Sequence, residues 1–213
     1  MDDYNENVTG APAADAANAN TPAASEYKRL VLIGMPCSGK SSIGKVLARY
    51  FRMQFCDLDE EIEKYAGMTI EEIFRTSGEA EFRRIETHVT DMLAGTDNVV
   101  IATGGGIVTK PENMQLLKRE GSLVVYIHRD FYKLATTPRK VRDKRPVLRE
   151  ANFEKLFALY KARLPLYKKY ADVEVRNDLG REDSAARIIE TLSQMGFNGN
   201  RLEVKCSENS SLI

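Results

Sequence analysis

The segment Gly34-Met35-Pro36-Cys37-Ser38-Gly39-Lys40-Ser41 has the spacing G-x-x-x-x-G-K-[ST]. Its glycines let the backbone curl into a nest of N–H groups that wraps phosphate oxygens. Lys40 would set its ammonium against the outer phosphates, and the Ser41 hydroxyl would bind magnesium. A helix opening at Lys40 and running through Ser41 and Ser42 would point its positive end at the same anion. The pattern carries weight because an apolar run precedes it and a helical pattern follows it.

Other residues could serve the same chemistry, each with a plainer alternative. Asp57-Leu58-Asp59 could supply one acid to magnesium and one to a substrate hydroxyl. Equally, Asp59 stands before Glu60, Glu61 and Ile62 as a helix N-cap would. Thr103-Gly104-Gly105-Gly106 closes an apolar run without a carboxylate. It marks either a backbone that another group approaches closely or a flexible turn. In Gly78-Glu79-Ala80-Glu81-Phe82-Arg83-Arg84-Ile85-Glu86, Arg83 could clamp a carboxylate in two-pronged fashion, or the segment is simply a charged helix face. Arg139, Lys140, Arg142, Lys144, Arg145 and Arg149 surround a single acid, Asp143. They read as a lid over phosphates, with an arginine stabilising the charge in transfer, or as a solvated run. Arg163 stands near Pro165, which is expected to disrupt a helix. Cys37, near Lys40 and a helix N-terminus, is either an oxidation-sensitive thiol or a small residue that fills the loop.

These residues need a scaffold, and the apolar pattern supplies one. Leu30–Ile33, Val99–Ala102 and Leu123–Ile127 are short continuous apolar runs of the kind that form buried strands, with Gln54–Cys56 and Val173–Val175 as weaker candidates. Between them run helical stripes: Ile43, Val46 and Leu47; Ile70, Ile73 and Phe74; then Phe153, Leu156, Phe157, Tyr160 and Leu164. Strands alternating with helices imply an α/β fold with a mainly parallel sheet.

Composition narrows the function. The 213 residues carry 31 basic and 31 acidic side chains, so the formal net charge is zero. That argues against a general nucleic-acid coat or a membrane-surface protein. Five of the acids and none of the basic residues fall in residues 1–26, leaving the rest at +5, which suits an anionic ligand. Residues 1–26 are rich in Ala, Asn and Asp with few large apolar groups, and are expected to be a disordered extension. Residues 27–195 form the expected domain and 196–213 a loose tail. Three cysteines at unrelated spacings are neither a disulfide framework nor a zinc site. With no targeting signal and no apolar span, the cytoplasm is the expected compartment.

Taken together and in this order, the motifs resemble shikimate kinase from about Leu30 to Leu192. The fingerprint is the phosphate loop, Asp57-x-Asp59, Gly67-Met68-Thr69-Ile70, Gly78-Glu79 with Phe82-Arg83 and Glu86, Gly104-Gly105-Gly106, Arg145-Pro146 and Arg163-x-Pro165-Leu166-Tyr167. The resemblance implies a P-loop three-layer α/β/α fold with a five-stranded parallel sheet, a lid and substrate-binding helical segments. It implies transfer of the ATP γ-phosphate to the 3-hydroxyl of shikimate, a step of chorismate and aromatic amino-acid biosynthesis, by a monomer that needs Mg²⁺. By position, Arg83 and Arg163 would take the shikimate carboxylate, and Asp59 and the Gly105 N–H its hydroxyls, within the Gly104–Gly106 turn. Asp57 would order magnesium with Ser41. Lys40 and Arg145 would contact the phosphates, and Asp59 would receive or orient the reacting hydroxyl proton. Glu86 would orient Arg83, and Phe82 would pack beside the substrate. The family often has an adenine-stacking arginine about seven residues before the lid arginine, where this chain has Pro138 next to Arg139. The alternatives are another small-molecule kinase, for instance one for gluconate, or a catalytically silent nucleotide-binding relative.

Overall fold

The computed structural model describes residues 27–137, 152–178 and 181–197. The extension 1–26, the basic stretch from Arg139 to Arg149 that includes Arg145, and residues 198–213 lie outside the described residues. Five strands form: β1 (Arg29–Ile33), β2 (Gln54–Asp57), β3 (Val99–Ala102), β4 (Ser122–His128) and β5 (Val173–Arg176). They pair in the order β2-β3-β1-β4-β5, every neighbour parallel. All five apolar segments expected to be strands are strands, extended by a residue or two at some ends.

The helices are α1 (Lys40–Phe51), α2 (Leu58–Ala66), α3 (Ile70–Ala94), α4 (Pro111–Leu117), α5 (Phe131–Ala135), α6 (Phe153–Tyr170) and α7 (Arg181–Gln194). Alternation along β1 sets the layers, because neighbouring side chains point to opposite faces. Leu30 and Leu32 pack with Ile43, Leu47 and Phe51 of α1 and Ile188 and Leu192 of α7. Val31 and Ile33 pack with Ile62 of α2, Ile85 and Val89 of α3, Met114 of α4 and Tyr167 of α6. Every residue of β1 is buried, since helices cover both faces. Phe197 is also fully buried, edge-on to Phe51, so the core continues past residue 195.

Two local expectations are corrected. Pro165 does not break its helix: α6 runs through it to Tyr170. Pro165 forfeits one backbone bond, but Arg163 and Tyr167 on either side are both anchored to the Gly105 carbonyl, which holds the helix in place. The cap of α2 is Asp57, not Asp59: Asp57 accepts from the Asp59 N–H at 3.1 Å, and Asp59 sits in the first turn. Helix α3 opens with a reciprocal capping box between Thr69 and Glu72 and bends at Gly78, whose φ of 78° and ψ of 178° are non-helical. Among the described residues, no helix is long and apolar enough to cross a membrane.

The order of the strands positions the site. The chain leaves β1 toward β2 on one side of the sheet and leaves β3 toward β4 on the other. Adjacent strands whose following loops part in this way open a crevice at their C-terminal ends. The loop after β1 is Gly34–Gly39, and the loop after β3 is Thr103–Gly106. Leu47 is fully buried between the sheet and α7. Leu47→Ala is expected to cost about 2–5 kcal/mol, read as an earlier urea midpoint with an unchanged slope.

Candidate active site

The loop after β1 holds the phosphate motif in a curled form. Gly39 has a φ of 99°, and Cys37, although not glycine, has a φ of 65°. The left-handed backbone at Gly39 leads into the first turn of α1 at Lys40, which leaves amide hydrogens at the helix start. Lys40 is 7% exposed, and its Nζ donates to the carbonyls of Gly34 at 2.9 Å and Met35 at 2.8 Å. The ammonium is thereby drawn across the loop, beside the place an anion would occupy.

Ser41 and Asp57 meet across the crevice, Oγ to Oδ2, at 2.5 Å. Both donors are hard oxygens, the type magnesium prefers, and they suit an ion that completes its shell with water and phosphate. No group of three or more His, Cys, Asp or Glu that could hold a metal exists among the described residues.

Opposite lies the glycine turn after β3. A side chain at Gly104 would put its Cβ 2.9 Å from Asp59 Oδ1. At Gly105 it would lie 2.5 Å from the Pro36 ring and 2.9 Å from the Pro36 nitrogen. At Gly106 it would lie 3.3 Å from one Arg83 guanidinium nitrogen and 3.5 Å from one of Arg163. The three glycines thus touch, in turn, an acid, the phosphate loop and two arginines. Of the two readings left open by sequence, close approach holds and the free turn does not.

The two arginines are fixed by different means. Arg83 Nη1 donates to Glu86 at 2.8 Å, and its Nη2 and Nε share Glu79 at 3.2 and 3.3 Å. Its guanidinium also lies 5.2 Å from the Phe82 ring centre, which packs on Phe74. Arg163, 8% exposed, donates to the Gly105 carbonyl at 3.1 Å, and the Tyr167 hydroxyl donates to the same oxygen at 2.6 Å. Burial pushes the Tyr167 phenol well above its ordinary value, so it remains a donor. Glu86 is 2% exposed, and burial raises its carboxyl above the ordinary glutamate value despite the opposing pull of Arg83. Asp59 adds to that rise by like-charge repulsion.

One cavity of about 860 Å³ joins these parts. Its walls include Pro36, Cys37, Gly39, Lys40, Ser41 and Ser42 from the phosphate loop and α1, together with Asp57 and Asp59. Arg83, Gly104, Gly105, Gly106 and Arg163 complete the far side. Gly34, Met35 and Ser38 support the loop without lining the cavity: the Met35 sulfur points into the core, 3.7 Å from the Tyr167 hydroxyl, and Ser38 is fully buried. Arg145 lies outside the described residues. Sequence reasoning missed Arg129 and Thr137, which line the cavity, and Asn177, which bonds the loop. Arg129 and Asn177 each directly follow a strand, so the rule that strand C-termini face the crevice could have found both.

Fold and site define a P-loop α/β protein whose nucleotide-type loop shares a cavity with a carboxylate and paired arginines. A family model described as shikimate kinase matches residues 36–193. The chain belongs to the shikimate kinase family. It is 37% identical over 163 residues to a shikimate kinase of Caldicellulosiruptor bescii, covering 76% of this chain and 93% of that one. It is 42% identical over 168 residues to that of Halorhodospira halophila, covering 77% and 93%. Among solved structures, the shikimate kinase from Acinetobacter baumannii in complex with shikimate superposes with a TM-score of 0.73. That pair shares 35% identity over 79% of this chain and 94% of the other. The Aquifex aeolicus shikimate kinase gives 0.67 at 32% identity, covering 80% and 99%.

The Glu86 carboxyl makes a prediction about pH. A raised pKa in the folded state means that folding takes up a proton there. Its stabilising contribution is complete below the ordinary glutamate value and is lost as pH rises through the raised one. The stability of Glu86→Gln relative to wild type should therefore increase as pH rises above the ordinary glutamate value. Urea unfolding at stepped pH checks this, and a difference that is flat with pH would contradict it.

Proposed function

We propose that this protein transfers the γ-phosphate of MgATP to the 3-hydroxyl of shikimate. The observation that carries the reading is the approach of Arg83 and Arg163 to Gly106 while Asp59 lies against Gly104, in the same cavity as the phosphate loop. Shikimate is a small carboxylate with several hydroxyls. Paired arginines suit its carboxylate through charge-assisted bonds. Asp59, at the opposite end of the glycine turn, suits a hydroxyl and is the group that would accept or orient its proton. The Gly105 N–H is a further donor for a hydroxyl.

On the nucleotide side, phosphoryl transfer needs positioning and charge stabilisation more than covalent help from the protein. The loop amides and Lys40 would hold the phosphates. Ser41 and Asp57 would hold Mg²⁺, which would help neutralise charge on the phosphates. Arg145 would add a cation from the lid. Phe82 and Glu86 hold Arg83 from behind, so less of its freedom must be lost on binding.

The direct test is ADP release from MgATP by the purified protein, with and without shikimate. Release that depends on shikimate, and does not occur with gluconate, is the expected result. Release that ignores shikimate, or none with nucleotide still bound, would overturn the reading. Arg163→Ala should raise the shikimate Kd by about a hundredfold or more, since truncating one partner of a buried charged contact costs several kcal/mol. ADP affinity should change far less. Equal loss of both, measured by calorimetry, would show Arg163 to be structural only.

A further inference from the structure

The phosphate loop is braced from outside by two residues that its sequence motif does not contain. Arg129, the residue after β4, donates from Nη1 to the Cys37 carbonyl at 2.8 Å. Asn177, the residue after β5, donates from Nδ2 to the Ser38 carbonyl at 2.6 Å. The Asn177 backbone N–H is itself tied to the His128 carbonyl at 2.7 Å, so both braces stand on the joined ends of β4 and β5.

The direction of these bonds matters. In a trans peptide the C=O and the following N–H point opposite ways. Drawing the Cys37 carbonyl out to Arg129 sends the Ser38 N–H back across the loop, where it donates to the Met35 carbonyl at 3.1 Å. Drawing the Ser38 carbonyl out to Asn177 turns the Gly39 N–H the other way, away from Asn177. A nest for an anion needs its carbonyls turned out and its N–H groups turned in, because an inward carbonyl would repel phosphate. Two more loop carbonyls, those of Gly34 and Met35, are covered by Lys40.

Two further observations support a fitted brace. Cys37 holds a left-handed φ of 65°, a conformation that costs a side-chain-bearing residue about 1 kcal/mol or more and persists only where its surroundings enforce it. A Cβ at Gly39 would lie 2.5 Å from the Asn177 amide nitrogen, so the amide fits against the loop at a place only glycine leaves open. Arg129 also lines the cavity, which brings a guanidinium charge to the nucleotide side of the site.

We propose that Arg129 and Asn177 are positioning residues that clamp the Cys37 and Ser38 carbonyls outward and so set the affinity of the phosphate loop for the nucleotide. They act through the loop backbone, while the arginines on the shikimate side of the cavity are held by other groups, Arg83 by Glu86 and Arg163 by the Gly105 carbonyl. The inference rests on the loop's binding a nucleotide. Wild-type binding of MgADP tests that premise by itself, and the ratio of variant to wild type tests the clamp.

The experiment is calorimetric titration of MgADP and, separately, of shikimate into wild type, Arg129→Met, Arg129→Lys and Asn177→Asp. Arg129→Met keeps a long side chain but has no donor. Arg129→Lys retains one donor and the charge. Asn177→Asp keeps the shape but sets an oxygen against the Ser38 carbonyl. Losing a charge-assisted hydrogen bond should weaken MgADP binding by roughly tenfold in Arg129→Met. Asn177→Asp should lose at least as much, with Arg129→Lys falling between Arg129→Met and wild type. Shikimate affinity should stay within about twofold of wild type in each. The clamp is overturned if Arg129→Met and Asn177→Asp both bind MgADP as wild type does. It is also overturned if nucleotide and shikimate affinities fall together, as general loosening of the fold would cause. Should Arg129→Met fail to fold, Asn177→Asp and Arg129→Lys decide the question by the same ratio.

Discussion

Three successive residues without side chains, Gly104–Gly106, are where the site comes together. Each gives its empty Cβ position to a different neighbour: an Asp59 oxygen, the Pro36 ring, and the Arg83 and Arg163 guanidinium groups. Their position follows from the sheet. β3 lies between β1 and β2, so the turn that leaves β3 has the phosphate loop on one side and the two acids on the other. A methyl group at Gly105 would strike both the ring and the backbone nitrogen of Pro36, and the loop and the turn could not both stay in place. The close packing of interiors makes such a contact costly in a way that a surface turn would not.

Around that turn, charged groups are held before any ligand arrives. Arg83 is gripped by Glu79 and Glu86, and Arg163 by a carbonyl that Tyr167 also binds. The stack continues from Tyr167 to Tyr126 on β4, 5.1 Å between ring centres, and so ties α6 to the middle of the sheet. Buried electrostatic contacts are stronger than exposed ones and leave little freedom to be lost on binding. Glu86 bears the cost. Its carboxyl is buried with Arg83 as its ion-pair partner, and its raised pKa reflects how far desolvation outweighs that pairing.

The nucleotide side is organised by backbone direction more than by side-chain charge. Lys40 covers two loop carbonyls from inside, and Arg129 and Asn177 draw two more outward. Ser41 and Asp57 link this half of the cavity to β2, and Asp57 also caps α2, the helix that carries Asp59. One carboxylate thereby joins the metal-type site to the helix that presents the substrate-type acid.

Much of this was legible in the amino-acid order, because its signals are local. The five strands show as short apolar runs, the phosphate loop as glycines and lysine at set intervals, and α1, α3 and α6 as stripes with helical spacing. Helices α4 and α5 were not legible, being seven and five residues long, too short for a period to emerge. In α7 the apolar stripe of Ala185, Ile188, Ile189 and Leu192 stands among charged and polar neighbours, and it was not picked out. The cap of α2 was misplaced by two residues because Asp57 and Asp59 have the same chemistry, and the folded backbone and the bond from the Asp59 N–H to Asp57 distinguish them. Pro165 shows the limit of local preference: a helix anchored on either side tolerates the lost bond. Residue types and their spacing by themselves determined the α/β class, the phosphate loop and the set of acids and arginines available to a site. Only the tertiary structure decided that Arg83 and Arg163, 80 positions apart in the chain, converge on Gly106, and that Arg129 and Asn177 brace the loop. The reason is physical: hydrophobic periodicity specifies which face of an element is buried, whereas the meeting of distant side chains depends on the order in which parallel strands pair.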